Sequence, residues 1–289
     1  MYVTCRTLAQ AKAALQAGAD GVYLDFLALS GLGAAVRELR EGGAQCVGIA
    51  LPRITKPGEE KIDQFIGRLA PDALLLRSLG QLNRHSNRPA ATERSGEQVR
   101  QPLLIGDSSL NVANTLSALE LLGRGIDAWT PAFDLDAAQL MSLLDSPVGR
   151  RVEVVIHHPV PLFHMEHCVI AARLSDGKDY RDCGRPCESH LVSLRDRKGS
   201  ELPVEADIGC RNTVLSAQPQ SAIRILPRLL SLPIRRFRIE LLRESPDLTR
   251  EIVAGYREHI HQRSTSAELR NHLRDRGVSI VEGSLRVLG

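Results

Sequence analysis

Four cysteines, Cys168, Cys183, Cys187 and Cys210, stand at C-x14-C-x3-C-x22-C spacing within a span of 43 residues. Thiolates converging from one short segment can complete the coordination sphere of an iron–sulfur cluster or of a structural zinc. The run Cys183-Gly184-Arg185-Pro186-Cys187 is a tight polar turn, a poor setting for two cysteines acting only as buried hydrophobes. Its C-x3-C interval is looser than the C-x2-C of most zinc knuckles, and the other intervals match no common finger. The plain hydrophobe reading suits Cys5 and Cys46, each inside an apolar, strand-like run. Arg181, Arg185, Arg195, Arg197 and Arg211 crowd the cysteine stretch. They would offset thiolate charge, and Arg185 and Arg211 are candidates to grip a carboxylate or phosphate of a substrate.

The histidines are the second chemical cluster. His157, His158, His164 and His167 gather around Glu166 in HHPVPLFHMEHC. HMEH is not the HExxH of zinc proteases, because its two histidines are only three apart. A strand histidine is most often packed and hydrogen-bonded. Yet enzymes built on βα-barrels place reacting groups at the C-terminal ends of strands, which makes His158 and Glu166 the acid/base candidates. Asp25 after Tyr23-Leu24, Arg53 after Leu51-Pro52, and Asp107 and Asn111 in GDSSLNVAN occupy equivalent strand ends and are candidates to meet substrate. Asn114, just ahead of an apolar helical run, reads as an N-cap. Trp129 reads as core. Arg235, Arg236 and Arg238, interleaved with Ile234, Phe237 and Ile239, read as a solvated strand face.

Something must hold these groups together. Short apolar runs alternate with amphipathic helical stretches about every 25 residues, the rhythm of βα units feeding a parallel sheet. YVTCR, GVYLDF, CVGIALP, ALLLRS, PLLIGD, IDAWTP, VEVVIHH and RRFRIEL give eight strands. The expected fold is therefore α/β, a (β/α)8 TIM-like barrel with a cysteine-rich insertion after a late strand. An open doubly wound sheet is the alternative, because periodicity does not report closure. The barrel is expected over 1–262, with the four-cysteine site at 157–211, and 263–289 as an extension packed on it. Within that extension VSIVEGSLRVL reads as a further hairpin. The polar stretch 79–101 reads as a mobile loop or small insertion.

At 289 residues, 43% hydrophobic and 25% charged, the composition is that of an ordinary globular protein. Aromatic residues make up only 3%, which leaves little for a nucleic-acid surface built on stacked rings. The net charge of +3 permits an anionic partner without requiring one. No apolar run reaches the roughly 20 residues that span a bilayer, and the first residues lack the layout of a signal peptide. Six cysteines in a chain of this length do not make a secreted disulfide framework. The expected location is cytoplasmic, with reduced thiols.

HMEHC, CGRPC, LRDRKG and ADIGCRN, together with YLDF, ALPRITKPGE, GDSSLNVAN and FRIELLRESP, resemble the signature region of peptidase family U32, the collagenase-like protease family. The likeness covers most of the chain and is strongest toward the C-terminal module of the long bacterial and plastid members, so another module of a longer chain is an expected partner. What the resemblance implies differs from the family's name. Several members act in oxygen-independent hydroxylation of tRNA, ribosomal RNA or the ubiquinone ring. Those of the ubiquinone pathway hold a [4Fe–4S] cluster on four cysteines, and the RNA-modifying members are linked to prephenate. Carried over, Cys168, Cys183, Cys187 and Cys210 would be cluster ligands, with zinc as the alternative metal and prephenate as a co-substrate. Three functions follow: an iron–sulfur enzyme supporting hydroxylation of an RNA base or related aromatic substrate, a U32 peptidase, or a zinc-stabilised module that binds RNA or ribosomes without catalysis.

Overall fold

A computed structural model describes residues 1–86, 101–177 and 181–286. Six parallel strands follow one another in space as in sequence: β1 (Tyr2–Cys5), β2 (Gly21–Leu24), β3 (Val47–Ala50), β4 (Ala73–Leu76), β5 (Leu103–Gly106) and β6 (Ala128–Trp129). Between and after them lie α1 (Leu8–Gln16), α2 (Leu32–Glu41), α3 (Glu60–Arg68), α4 (Leu79–Ser86), α5 (Thr115–Gly123) and α6 (Ala137–Leu144). Strand β7 (Glu153–His158) joins the other side of the sheet. After it an insertion carries β8 (Pro161–Met165), α7 (Val169–Leu174), β9 (Val192–Arg195), β10 (Glu201–Ala206) and β11 (Asn212–Leu215). The chain then returns through β12 (Gln220–Ser221), α8 (Leu226–Ser231) and β13 (Arg236–Glu240), and ends in α9 (Pro246–Ile260) and α10 (Ser266–Asp275).

The large sheet runs β12-β7-β13-β1-β2-β3-β4-β5-β6. All its pairings are parallel except that of β12 with β7. The order rises steadily from β1 to β6, without the mid-sheet reversal of a doubly wound fold. The sheet is curled, and one isolated parallel bridge, Trp129 to Val152, links its far edge to the residue before β7. Among the described residues no continuous ladder joins β6 to β7. All eight strands read from the sequence are present, as β1 to β7 and β13.

Alternation along the strands explains the layers. One face sends Val3, Val22, Leu24, Ile49, Leu74 and Leu76 under the helices as the main core. The other encloses a smaller set, Tyr23, Ala50, Ala73, Leu75, Ile105 and Ala128. Tyr23 needs space there, and Gly48 leaves it: a Cβ at Gly48 would stand 2.5 Å from the Tyr23 ring. Side-chain caps set helix starts. Asn114 accepts from Ser117 N to begin α5, as expected, and Asp136 accepts from Gln139 N to begin α6.

The enclosed face is also ionic, which corrects the solvated-face reading of β13. Arg238 is fully buried and Arg236 partly so, its side chain 19% exposed. Arg236 Nε and Arg238 Nη1 donate to the two oxygens of Glu153 at 2.9 and 3.0 Å. Arg238 Nη2 reaches Asp107 and Glu240. Arg77 then bridges Asp107 and Asp25, with Nε 2.9 Å from Asp107 and Nη2 2.8 Å from Asp25. Arg6 closes the chain on Asp25 at 3.0 Å. Burying one such charge without its partner would cost several kcal/mol, so the residues are held as a set.

Three further expectations are revised. The start of the polar stretch 79–101 is helix α4, while residues 87–100 lie outside those described. The insertion forms its own antiparallel sheet, β8-β11-β10-β9, which the sequence reading did not anticipate. The tail adds α10, and the run 278–288 expected to form a hairpin shows, as far as residue 286, one parallel bridge from Val281 to Gln220 and the one-turn helix Gly283–Leu285. Leu269, Leu273 and Leu285 carry this tail into the main core.

Candidate metal and substrate site

The four cysteines come from four local structures that the insertion folds together. Cys168 caps α7, its sulfur accepting from Ala171 N at 3.4 Å. Cys183 accepts from Arg185 N at 3.4 Å, and Cys187 sits in the one-turn helix Pro186–Glu188. Cys210 lies in a tight turn built by Asp207, whose Oδ1 accepts from Gly209 N at 2.8 Å and from Arg211 N at 2.9 Å. Arg185 and Cys210 hold left-handed backbone, with φ of 52° and 60°. Non-glycine residues occupy that region at a cost, which points to a function for the turns that carry them.

All four thiols line one cavity of about 300 Å³, with Arg185 and Leu27 also on its wall. None is in a disulfide. Burial pushes the Cys187 and Cys210 thiols up, and the neighbouring sulfurs push them further. Among the described residues no group of three or more His, Cys, Asp or Glu side chains is set to hold a single metal ion. A zinc site would draw its sulfurs to about 2.3 Å from one ion. Four cysteines around one cavity supply the donor number that either a four-cysteine zinc or a [4Fe–4S] cluster requires.

A second cavity, of about 100 Å³, opens at the C-terminal ends of the parallel strands. It shares Leu27, Ala206, Asp207 and Ile208 with the cysteine cavity, so the two are separated by one layer of residues. Asp25, Arg53 and Asp107 line it, as the strand-end rule predicts. Burial pushes both carboxyls up, but arginines overcome it. Arg6 and Arg77 hold Asp25 below its usual range, and Arg238 and Arg77 hold Asp107 well below. The sequence reading missed Arg77 and Glu240, although ALLLRS and RRFRIEL end on the same strand positions that singled out Asp25 and Arg53. His164 also lines the cavity, its Nδ1 2.8 Å from Thr213 Oγ1.

Other candidates are placed elsewhere. His158 is buried beside the mouth, its ring packed at a 37° tilt against Phe133 with centroids 3.9 Å apart. Burial, and then His157, pull its pKa down to about 3. Glu166 is half exposed and tied to Arg211 Nε at 2.8 Å and to Lys56. Among the described residues no hydrogen bond or salt bridge joins these two acid/base candidates. Arg211, a substrate-binding candidate, is fully buried and spent on Glu166 and on Glu59, the latter at 3.0 Å. It braces the insertion against the loop ahead of α3. Asn111 lines a third, outer groove. Cys5 is wholly buried, as expected, and Cys46 packs at the edge of the enclosed cluster.

A curled α/β sheet with an inserted four-cysteine subdomain over the C-terminal ends of its strands defines the class. Residues 104–278, more than half of the chain, match the family model for peptidase family U32, and the chain belongs to that family. Among curated proteins none matches it. One similar solved structure, from Coccidioides immitis, is described as a fructose-1,6-biphosphate aldolase. It is 13% identical, and the match covers 95% of this chain and 84% of that one at a TM-score of 0.44. No helix among the described residues is long and apolar enough to cross a membrane.

Proposed function

We propose that this U32 protein holds a [4Fe–4S] cluster on Cys168, Cys183, Cys187 and Cys210 and supports oxygen-independent hydroxylation of an RNA base or related aromatic substrate bound in the strand-end cavity. The observation that carries the reading is the convergence of four unpaired thiols on one cavity that shares a wall with the polar mouth of the sheet. Bound there, a cluster would supply single-electron transfer. The chain's own residues would do the rest. Arg77 and Asp25 fix the floor, Arg53 offers a cation for an anionic group such as a carboxylate of prephenate, and the insertion roofs the cavity against water.

The peptidase reading has the family's name in its favour and the cavity chemistry against it. Ser109 donates its hydroxyl to Arg77 O, and His164 is committed to Thr213, so no serine–histidine pair is formed there. Asp25 and Asp107 are each bound to arginine, which denies them the shared proton of an aspartic dyad. The test is the iron and acid-labile sulfide content of protein purified without oxygen. About four of each per chain is expected. One zinc without sulfide would favour the binding module, and no metal would sink both. RNA nucleosides from cells with and without the gene, compared by mass spectrometry, then identify the product.

A further inference from the structure

The strand-end cavity, at about 100 Å³, is well below the roughly 300–1,000 Å³ typical of small-molecule sites, so a substrate larger than one small group must extend beyond it. On the side away from the cysteines, an outer groove adjoins it. The cavity shares Arg53, Ser108, Ser109, Phe133 and Pro161 with this groove, of about 490 Å³. Two of these residues are poised for a ligand. Phe133 is half buried, held from behind by the His158 ring at 3.9 Å, and it borders both spaces. Arg53 also borders both, is exposed, and has no hydrogen bond or salt bridge among the described residues. Elsewhere around the mouth, Arg6, Arg77 and Arg238 are each paired with carboxylates.

We propose that Phe133 and Arg53 form a nucleotide subsite on the rim, where Phe133 stacks on a base and Arg53 takes its phosphate, next to the nucleotide whose base enters the mouth. A rigid aromatic face is a sequence-tolerant stacking platform, and a free guanidinium matches a phosphate. Asn111 and Ser108 on the groove supply hydrogen-bonding groups for sugar or base. Asp134 lines the same groove, and its negative charge limits the contact to a single phosphate. The single cation also sets the partner's form. A single strand that threads one phosphate past Arg53 fits, whereas a duplex surface needs many cations.

The subsite rests on the reading that RNA is the substrate, yet it is measured without turnover, so metal analysis and this experiment fail separately. The probe is a short single-stranded RNA carrying 2-aminopurine, titrated into the full protein at several salt concentrations. Quenching on binding is expected, with log K falling against log salt at a slope of about −0.7, one phosphate's worth. Phe133→Ala should abolish the quench and weaken binding about tenfold, while Phe133→Trp retains both. Arg53→Ala should flatten the salt dependence, and Arg53→Lys should keep it. Unchanged binding in Phe133→Ala and Arg53→Ala, or no binding of the RNA at all, overturns the proposal. So does competition by a gelatin peptide that itself requires Phe133, because the groove would then be a peptide site.

Discussion

The enclosed face of the parallel sheet and the inserted subdomain are both rich in ionisable groups, and they treat them in opposite ways. Inside the sheet four carboxylates, Asp25, Asp107, Glu153 and Glu240, and four arginines, Arg6, Arg77, Arg236 and Arg238, neutralise one another. In the insertion the four thiols face a common cavity, and arginine side chains near it are bonded to carboxylates and not to the sulfurs. Arg211 serves Glu59 and Glu166, Arg195 serves Glu201, and Arg185 serves Glu188. A self-satisfied network is a scaffold, whereas four thiols on one cavity are the donor set that the proposed cluster would use.

The largest effect should come from removing one donor from the guest's side. Cys183→Ala is expected to eliminate visible absorbance near 400 nm and reduce bound iron to background, while far-UV circular dichroism retains the signal of the sheet and helices. Full iron retention would show that the cysteines are not the ligands. Next comes the scaffold's most buried partner. Glu153 is fully buried and serves Arg236, Arg238 and Tyr23 at once. Glu153→Ala should cost about 3–5 kcal/mol in denaturant unfolding, because two guanidinium groups lose their counter-charge. If it costs under about 1 kcal/mol, the network is not what pins the sheet.

The same contrast explains what could be read from the chain alone. All eight parallel strands were legible because apolar alternation and glycine or helix-cap punctuation mark them, and Asn114 does so residue by residue. The interior ions were not. Arg236 and Arg238 alternate with apolar residues as they would on a solvated strand, and periodicity does not say which face is enclosed. The insertion's sheet was missed because its strands are short and expose apolar residues, with Phe163 at 65% and Leu162 at 44%. The four cysteines were legible as a group from their spacing, whereas spacing does not say that β7 buries His158 or that Glu166, just after β8, is bonded to Lys56 and Arg211.

Acid titration separates the scaffold's parts. Burial lowers His157 to about 4 and His158 to about 3, against roughly 6.5 in an unfolded chain. Between pH 6.5 and 4 the unfolded chain binds protons that the folded one does not, so stability falls as pH falls, by about 2 kcal/mol per histidine at pH 5. Asp25 and Asp107, depressed by their arginines, contribute fully above about pH 4 and lose that contribution only below it. Asp207, Glu240 and Glu244 are raised by burial and act in the opposite sense, so the comparison must be between variants. His157→Gln should halve the histidine part of the loss between pH 7 and 5, and leave the limb below pH 4 in place. An unchanged slope would mean that His157 is already charged in the fold.

The smallest expected effect completes the comparison, because it removes a carboxylate from an ion pair of the insertion. Arg195 and Glu201 face each other across β9 and β10 at 2.8 Å, with side chains 71% and 62% exposed. The geometry is as close as that of Arg238 and Glu153, yet water already solvates both charges, so the pair gains little from being formed. Glu201→Gln should therefore change unfolding free energy by less than about 1 kcal/mol and leave the iron content intact. Set beside Glu153→Ala, this separates distance from burial as the source of the scaffold's strength. A loss at Glu201 as large as that at Glu153 would mean that the hairpin's charges hold the cysteine subdomain together, and that the insertion too is built on its ions.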